Sequence, residues 1–409
     1  MPTEERGVVI AGGGIGGLSA AIALAAQGIA STVLERSNFG DETGAGIQLG
    51  PNAARALQKL DLLHDVAAAA AKPEAICLFD AHTGRRLSVM PLGDAILRRY
   101  GVPYLTLHRA NLHAALFAKA QTVAKIKPGE EILDIAAVAE GVDVHTKAGI
   151  SLGSCLVGAD GIWSTVRDIV APDALLRFGE ATAWRTLLAN EGLPSPFGDN
   201  IVGVWMGRGA HLVHYPVRNG RQVNAVVVID QGDEGLGWHR AIDAGDLLQR
   251  IGKWAHEPRR LFEQAVSWRG WALYRLPPLT AWSRDNVVLL GDAAHPVLPF
   301  LAQGAALAIE DAVTLAKCMA ASRDSVTAAF KRYEALRKPR VTQVQRASWR
   351  FGRIYHAGFP LRASRNLVLS ARRGNRLLER FDWLYGGAVE QVRRKRSTES
   401  AQTGRNPEG

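Results

Sequence analysis

The length and composition of the chain exclude several classes of protein. Its 409 residues exceed what one hydrophobic core usually organises, so we predict two domains or one domain with a large insertion. With 47% hydrophobic and 22% charged residues, the chain has neither a disordered nor a fibrous composition. The formal net charge of +10 favours an anionic partner, which can be a nucleic acid, a nucleotide cofactor or a carboxylate substrate.

Cysteine usage and hydropathy bear on the compartment. The three cysteines, Cys77, Cys155 and Cys318, lie far apart, which argues against a disulfide scaffold and against a Cys-based zinc site. Residues 1–7 lack the order of a signal peptide, and no stretch reaches the roughly 18 uncharged apolar residues that a membrane span needs. We therefore expect a cytoplasmic protein without a membrane span.

The N-terminal elements form a strand, helix, strand unit. Residues 7–12 are typical of a buried parallel strand, an alanine-rich helix is predicted over 18–27, and 31–35 form the next strand. Two further apolar strands, at 154–158 and 286–290, each lead into a turn of glycine and aspartate. These elements predict an α/β fold with a doubly wound parallel sheet and right-handed crossovers.

A different pattern occupies the middle of the chain. Short β-rich runs recur between residues 182 and 229, separated by turns such as Arg218-Asn219-Gly220, which is typical of an antiparallel sheet. We predict a substrate-binding domain that interrupts a nucleotide-binding domain. The predicted division is 1–73, 100–175 and 272–341 for the nucleotide-binding domain, 74–99 and 176–271 for the substrate-binding domain, 342–392 for a C-terminal helical segment, and 393–409 for a disordered tail.

The glycines after the first strand form a phosphate-binding motif. Gly12, Gly14 and Gly17 give G-x-G-x-x-G between a strand and a helix, and Glu35 ends the second strand. Gly12 allows a tight turn, Gly14 admits a pyrophosphate at the helix N-terminus, and Gly17 permits close packing. Glu35 can accept hydrogen bonds from ribose hydroxyls. The motif predicts a dinucleotide but does not distinguish NAD from FAD.

Two later motifs add a family resemblance. Their residues are Gly158-Ala159-Asp160-Gly161 with Ser164 and Arg167, and Gly291-Asp292-Ala293-Ala294-His295-Pro296 with Gly304 and Glu310-Asp311. In this order, the three motifs resemble the fingerprints of the aromatic-ring flavoprotein hydroxylases, the single-component FAD monooxygenases. The resemblance covers about residues 7–385 and is strongest to the salicylate hydroxylase and 3-hydroxybenzoate 6-hydroxylase branch.

The resemblance implies FAD as the cofactor and NADH or NADPH as a transient co-substrate. Asp292 matches an aspartate that holds the ribityl hydroxyls, and Arg109 matches an arginine near the pyrophosphate. The helix beginning near Gly304 is implied to direct its N-terminal amides at the flavin. Asp160 either serves FAD and the nicotinamide together or is a turn or helix-cap aspartate. The residues assigned to FAD are Gly12, Gly14, Gly16, Gly17, Glu35, Arg36, Ile47, Arg109, Asp160, Asp292, Pro299, Gly304 and Ala305.

The strand at 210–217 carries the candidate base. Period-two alternation places His211 and Tyr215 on one face and His214 on the other, so only one histidine can face the flavin. By resemblance this is His211, which is implied to assist deprotonation of a substrate phenol. His214 is then a packing or hydrogen-bonded residue.

Further side chains are substrate candidates. Gln303 precedes the flavin-facing helix and can hydrogen-bond a ring hydroxyl, as can Gln48, while Pro296 and Pro299 either line the pocket or only rigidify a turn. No metal site is predicted, because His211 and His214 point to opposite faces and no carboxylate or Cys completes a set. The cationic stretch 346–380 is interpreted as a solvated helical face packed on the nucleotide-binding domain rather than a nucleic-acid or membrane surface.

The implied reaction is hydroxylation of a small phenolic aromatic acid of the salicylate or hydroxybenzoate type, with NAD(P)H and O2, through a flavin hydroperoxide. Alternative substrates are a hydroxypyridine carboxylate and a larger aromatic. A non-catalytic FAD-bound redox sensor and an NAD-dependent dehydrogenase remain open, whereas the missing W-x-W-x-I-P motif counts against a flavin-dependent halogenase. We expect a monomer or homodimer with no nucleic-acid partner.

Overall fold

The computed structural model describes residues 6–39, 45–138, 141–230, 240–371 and 374–386. Within them, a largely parallel sheet with helices and a mainly antiparallel sheet confirm the predicted α/β fold. The tail predicted at 393–409 lies outside the described residues.

A six-stranded sheet contains the glycine motif. It is parallel except for one edge strand, and its strands in spatial order are β18 (Ser283–Arg284), β19 (Val287–Leu289), β11 (Cys155–Gly158), β1 (Val8–Ala11), β2 (Ser31–Glu35) and β7 (Lys125–Pro128). The helix α1 (Ile15–Ala25) connects β1 and β2 and begins earlier than predicted, because Gly14 is its N-cap. The carboxyl ends of β1, β11 and β19 therefore carry all three motifs at one edge of the sheet.

An eight-stranded sheet forms a second layer. Its strands in spatial order are β16 (Arg240–Ile242), β17 (Trp268–Arg275), β12 (Arg177–Ala189), β15 (Gln222–Asp230), β14 (Ala210–Val217), β13 (Ile201–Gly207), β4 (Ala75–Asp80) and β5 (Arg86–Pro91). Neighbouring strands are antiparallel except β13 and β4, which are parallel. The sheet thus draws its strands from two separate parts of the chain, and the exact limits of the two domains stay a prediction.

Smaller sheets complete the strand inventory. A two-stranded antiparallel sheet pairs β3 (Gly46–Leu49) with β6 (Leu105–His108). A three-stranded antiparallel sheet has the order β10 (Gly149–Gly153), β9 (Gly141–Thr146) and β8 (Ile132–Val138). The β3 and β6 pair places Ile47 and Gln48 beside the edge that carries the three motifs.

The remaining helices pack around both sheets. They are α2 (Pro51–Lys59), α3 (Leu63–Ala68), α4 (Gly93–Tyr100), α5 (Arg109–Gln121), α6 (Val166–Val170), α7 (Ala244–Ile251), α8 (His256–Gln264), α9 (Gly304–Ala321), α10 (Val326–Tyr355), α11 (Leu361–Ala371), α12 (Asn375–Leu378) and α13 (Asp382–Tyr385), with short 3-10 turns at Gly291–Ala293, Pro299–Leu301 and Glu379–Phe381. The predicted boundary after residue 341 falls inside α10, which runs without a break from one predicted segment into the next.

Two apolar cores lie on the two faces of the larger sheet. One contains β1, α1 and α9 together with Val202, Val204 and Tyr215. The other packs α7 and α8 against Leu212 and Val227. Because neighbouring residues of a strand point to opposite faces, one side of β14 faces a purely structural core and the other faces the nucleotide-binding layer.

The described residues contain no candidate membrane span and no candidate metal cluster. None of their helices has the length and apolar composition of a membrane span. Across the same residues, no group of three or more His, Cys, Asp and Glu side chains is arranged to hold a metal ion. All three cysteines are free and buried.

Candidate active site

The glycine loop after β1 has free space beside Gly14 but none beside Gly17. Gly12 has a φ of 100°, in the left-handed region that favours glycine. A Cβ on Gly17 would overlap the carbonyl oxygen of Gly12, whereas a Cβ on Gly14 would meet nothing within 4 Å. No side chain caps α1, whose N-cap is Gly14. The loop therefore presents free space and helix amides at Gly14, as a pyrophosphate site requires.

Glu35 lies beside this loop at the end of β2. Its Oε2 accepts a hydrogen bond of 2.6 Å from Gly13 N, and its Oε1 accepts one of 2.8 Å from Ser37 N. The carboxylate is half-buried, so its remaining lone pairs face the surface of the loop. Arg36 follows it and is exposed. This placement is compatible with the predicted contact between Glu35 and ribose hydroxyls.

The second motif is organised by its aspartate. Asp160 Oδ1 accepts a hydrogen bond from Ser164 Oγ at 2.5 Å, and Oδ2 accepts from Thr165 N at 2.9 Å and from Val166 N at 3.2 Å. These bonds make Asp160 the cap of the start of α6, which is one of the two alternatives that the sequence left open. Any effect of Asp160 on a nicotinamide would then act through the shape of this turn.

Arg167 joins the second motif to the third. Its Nη2 donates to Ile162 O at 2.8 Å, and its Nη1 donates to Ala293 O at 3.2 Å. Burial lowers the pKa of this guanidinium, and the neighbouring Asp160 opposes the change. The arginine thereby holds together the turns that follow β11 and β19.

The third motif presents a free carboxylate and a helix N-terminus. Within the described residues, the Asp292 carboxylate accepts no hydrogen bond, and Asp292 is exposed at the edge of the sheet that carries the three motifs, in the space that we call the cofactor cleft. A Cβ on Gly304 would lie 3.9 Å from Asp292 Oδ1. No side chain caps α9, so the amides of Gly304 and Ala305 point into the same cleft.

Charge around this cleft matches an anionic ligand with hydroxyl groups. Burial raises the pKa of the Asp292 carboxyl, while His295 and Arg109 lower it. Arg109 begins α5, directly after β6, and its backbone N–H donates to Ala45 O at 2.7 Å. The three motifs thus lie at one edge of the parallel sheet, with Arg109 near enough to Asp292 to lower its pKa, and the binding of FAD by these residues in the cofactor cleft stays a prediction.

A buried ion cluster supports the first turns of α9 from behind. Arg337 Nη1 lies 2.7 Å from Glu310 Oε2, and its Nε lies 2.5 Å from Asp311 Oδ1. Arg340 Nη2 lies 2.7 Å from Glu310 Oε1, and His295 Nε2 lies 2.7 Å from Asp311 Oδ2. Burial opposes ionisation of Glu310, but Arg337 and Arg340 outweigh it and hold its pKa at about 2. The cluster ties α9 to α10 and to the third motif.

A cavity of about 1480 Å³ lies beside the cleft, between the larger sheet and the C-terminal helices. Its wall is mostly apolar and includes Val204, Val213 and Phe300. His211 lines the cavity, as do Gln48 and Pro299, whereas Tyr215, Gln303 and Pro296 do not line it. Such a cavity beside a cofactor cleft is the usual form of a substrate pocket.

The two histidines of β14 face opposite sides, as alternation predicts. His211 is only 2% exposed, and its ring packs 5.3 Å from the ring of Phe300. Burial lowers the pKa of His211 well below its usual value, and His356 lowers it further. His214 packs in the other core against Phe197, where burial lowers its pKa to about 3. Both imidazoles are therefore neutral near pH 7, but only His211 reaches the cavity.

The other substrate candidates take varied positions. Tyr104 Oη donates to Gln48 Oε1 at 2.8 Å at the cavity wall. Tyr215 is buried, and a Cβ on Gly46 would lie 2.7 Å from its ring. Gln303 is the N-cap of α9, but its Oε1 accepts from Asn52 Nδ2 at 2.9 Å, so the amide is engaged within the protein. The predicted bond from Gln303 to a ring hydroxyl stays a prediction.

Sequence reasoning missed one residue that contacts the candidate base and a second residue that contacts the first. His356, which follows α10, has its Nε2 2.7 Å from Nδ1 of His211, and its Nδ1 lies 2.6 Å from Asp230 Oδ1. No motif marks them, since His356 is 145 residues from His211 in the chain. Only the packing of α10 against the sheet brings them together.

The cleft and the cavity define a flavoprotein with a pocket beside its cofactor, and comparison with known proteins gives its family. A family model described as FAD binding domain matches residues 5–348. The chain belongs to this family, in the branch of single-component FAD-dependent aromatic hydroxylases. It is a flavin-dependent monooxygenase, and its cofactor is FAD.

Relatives and a solved structure agree with this placement. The chain is 34% identical to 3-hydroxybenzoate 6-hydroxylase of Klebsiella oxytoca, over 92% of this chain and 96% of that protein. It is 36% identical to 3-amino-4-hydroxybenzoate 2-monooxygenase of Streptomyces cremeus, over 87% of this chain and 89% of that one. The structure of Klebsiella pneumoniae HpxO complexed with FAD and uric acid matches with a TM-score of 0.81 at 25% identity, over 91% of this chain and 94% of that chain.

A side-chain series at Gly14 is expected to remove FAD without unfolding the protein. Gly14 has an extended backbone, and a Cβ there meets no protein atom, so Gly14→Ala and Gly14→Val should fold normally. Valine would occupy the space predicted for the pyrophosphate and should weaken FAD binding by about tenfold or more, with alanine intermediate. Flavin content of the purified variants, together with thermal unfolding of their apo forms, measures both effects. If Gly14→Val purifies with full flavin, the loop is not the phosphate site.

Proposed function

We propose that this protein hydroxylates a small phenolic aromatic acid, of the salicylate or hydroxybenzoate type, with O2 and NADH or NADPH. The observation that carries the proposal is His211, a buried neutral imidazole that lines an apolar cavity beside the FAD cleft. A neutral histidine can accept the proton of a phenol, and the resulting phenolate is the more nucleophilic form of the ring.

Several side chains and backbone amides of the protein have separate roles in this reaction. FAD, when bound, supplies the hydride and oxygen chemistry. His211 holds the phenol and takes its proton, while the apolar wall excludes water from the ring. The uncapped amides of Gly304 and Ala305 are available to stabilise negative charge in the cleft. The three buried free cysteines suit the reducing cytoplasm that the sequence predicts.

A screen of aromatic acids tests the proposal. NADH and NADPH oxidation and O2 uptake would be followed with hydroxybenzoates and hydroxypyridine carboxylates, and the products would be identified by mass spectrometry. We expect one phenolic acid to stimulate oxidation and to gain one oxygen atom. Protein that carries FAD but shows no stimulation by any aromatic acid would favour the redox sensor.

A larger aromatic substrate is the second candidate. The cavity volume of about 1480 Å³ exceeds the roughly 300–1,000 Å³ of ordinary ligand pockets, so it has room for more than a single ring. Multi-ring phenolic acids in the same screen separate this candidate from the first.

We expect the turn at Asp160 to affect reduction by the nicotinamide. The G-x-G-x-x-G motif is assigned to FAD, which leaves the groove around this turn for NADH or NADPH. Asp160→Asn weakens the cap of α6 and should slow anaerobic flavin reduction by about 10- to 100-fold, since small misplacements have costs of this size. Stopped-flow absorbance measures the rate, and Thr165→Val, which removes only a 3.3 Å bond to Asp160, is the matched control. If Asp160→Asn binds FAD normally and its flavin is reduced at the unmodified rate, the assignment of the nicotinamide to this groove is wrong.

A further inference from the structure

Three side chains connect the cavity to the protein surface. His211 Nδ1 lies 2.7 Å from His356 Nε2, and His356 Nδ1 lies 2.6 Å from Asp230 Oδ1. Exposure rises along the series: His211 is 2% exposed, the His356 side chain is 6% exposed, and the Asp230 side chain is 46% exposed. The series therefore begins at a buried cavity and ends in solvent.

With both imidazoles neutral, the hydrogen bonds of this series have one consistent direction. An ionised carboxylate only accepts, so His356 must donate from Nδ1 to Asp230. A neutral His356 then has a lone pair on Nε2, and His211 must donate to it from Nδ1. Nε2 of His211 is left with a lone pair. In this arrangement His211 has the tautomer of a base, and Nε2 is its basic atom.

Backbone contacts hold the series in place. Gly209 lies in the turn between β13 and β14, where its N–H donates to His356 O at 3.1 Å and its carbonyl accepts from Asp230 N at 2.8 Å. The ring of Tyr355 packs 5.2 Å from the ring of His211. Because one residue bridges the backbones of His356 and Asp230, their side chains meet without a long flexible connection.

We infer that His356 and Asp230 form a proton relay that carries the proton of the substrate phenol from His211 to bulk water. The inference rests on the proposed function of His211 as the base. The phenol oxygen keeps its electron pair and its proton passes to Nε2 of His211. The Nδ1 proton of His211 passes to Nε2 of His356, and the Nδ1 proton of His356 passes to Asp230, which releases it to water. Each imidazole is neutral at the end, and the phenolate is the only new charge in the cavity.

Two ionisable side chains among the described residues, those of Tyr355 and Arg208, lie near the relay. Tyr355 faces His211 from α10, and burial raises the pKa of its phenol well above its usual value, so it stays neutral. The aliphatic part of Arg208 lies beside the loop after His356, 3.5 Å from a Cβ built on Gly358. Among the described residues, Phe300 is the other ring in contact with His211 and carries no proton to transfer.

The test follows proton release without turnover. FAD-loaded enzyme, with no NADH present, is mixed with 3-hydroxybenzoate in a stopped-flow instrument. Ultraviolet absorbance reports the phenolate, and a pH-indicator dye reports the proton that reaches solvent. We expect both signals to rise together in the unmodified protein. In His356→Gln and Asp230→Asn, proton release and phenolate formation should slow by about tenfold or more, with the Kd of 3-hydroxybenzoate changed less than about threefold.

Controls separate the relay from the base and from simple loss of charge. Asp246→Asn removes an exposed carboxylate from α7 of the same layer and should release protons at the unmodified rate. If His211→Ala abolishes phenolate formation while His356→Gln and Asp230→Asn release protons at the unmodified rate, that result would contradict the relay and would support His211 as the base. If His211→Ala still forms phenolate normally, the proposed base is wrong and the relay is wrong with it.

Discussion

Replacing His211 by alanine is expected to leave FAD binding and aromatic-stimulated NAD(P)H oxidation in place and to abolish most of the product. Without the base, the bound phenol keeps its proton and its ring is a weaker nucleophile, so O2 is converted to hydrogen peroxide instead of being incorporated. General-base assistance is worth about 10²- to 10⁴-fold, and we expect hydroxylation to fall by that factor. The measurement is product formed per NAD(P)H consumed, together with peroxide.

His214→Ala is the matched control on the same strand. His214 packs between Phe197 and Trp205, away from the cavity, and removal of its ring should lower the free energy of unfolding by about 2 kcal/mol or more. The folded fraction should keep the normal ratio of product to NAD(P)H. A ratio that falls for His214→Ala and stays normal for His211→Ala would reverse the assignment of the two strand faces.

Arg337→Met is expected to destabilise the protein more than any surface substitution. The guanidinium is 2% exposed and contacts both Glu310 and Asp311, so its removal leaves buried negative charge uncompensated. Breaking such a buried cluster costs about 3–5 kcal/mol. Urea unfolding at neutral pH gives the value. Arg98→Met, at an exposed pair with Asp94, should cost less than about 1 kcal/mol, and equal losses in both variants would contradict the role of the cluster.

The same cluster predicts a pH dependence of stability. The pKa of Glu310 is about 2 in the folded protein, against an ordinary value of 4.5. A depressed folded-state pKa stabilises the protein fully above the ordinary value and progressively less as the pH falls toward about 2. Without Arg337 the folded-state pKa of Glu310 moves toward its ordinary value, so Arg337→Met should lose less free energy of unfolding than the unmodified protein as the pH falls below about 4.5. Unfolding curves between about pH 7 and pH 3 compare the two proteins.

Local patterns predicted the parts of the site that are built from short stretches of chain. The spacing of the glycines alone predicted the strand, turn and helix around Gly14, because each glycine is required by a steric contact within a few residues of it. The separation of His211 from His214 follows from the period of a strand. The glycine turn and the facing of the two histidines each depend on a few consecutive residues, so both could be predicted from the sequence.

Contacts between distant segments could not be predicted in the same way. Asn52 donates to the side-chain oxygen of Gln303, which lies 251 residues away. The side chain that was predicted to bond a ring hydroxyl is therefore already hydrogen-bonded within the protein. The cationic stretch 346–380 was interpreted as a solvated face, yet Arg365 within it is buried and lies 3.7 Å from Asp80. Burial of an arginine depends on which carboxylates the fold brings near it. One sequence without its relatives carries no record of that pairing.

The length of α10 has a consequence for variation in this chain. One continuous helix of 30 residues carries Arg337 at the ion cluster and ends immediately before His356. An inserted or deleted residue between them would rotate everything beyond it by about 100° and shift it by about 1.5 Å. Either change would separate His356 from His211 while leaving the cofactor cleft intact. Substitutions along the cavity-facing side of this helix can therefore retune which aromatic ring is accepted, but its residue count has to be conserved.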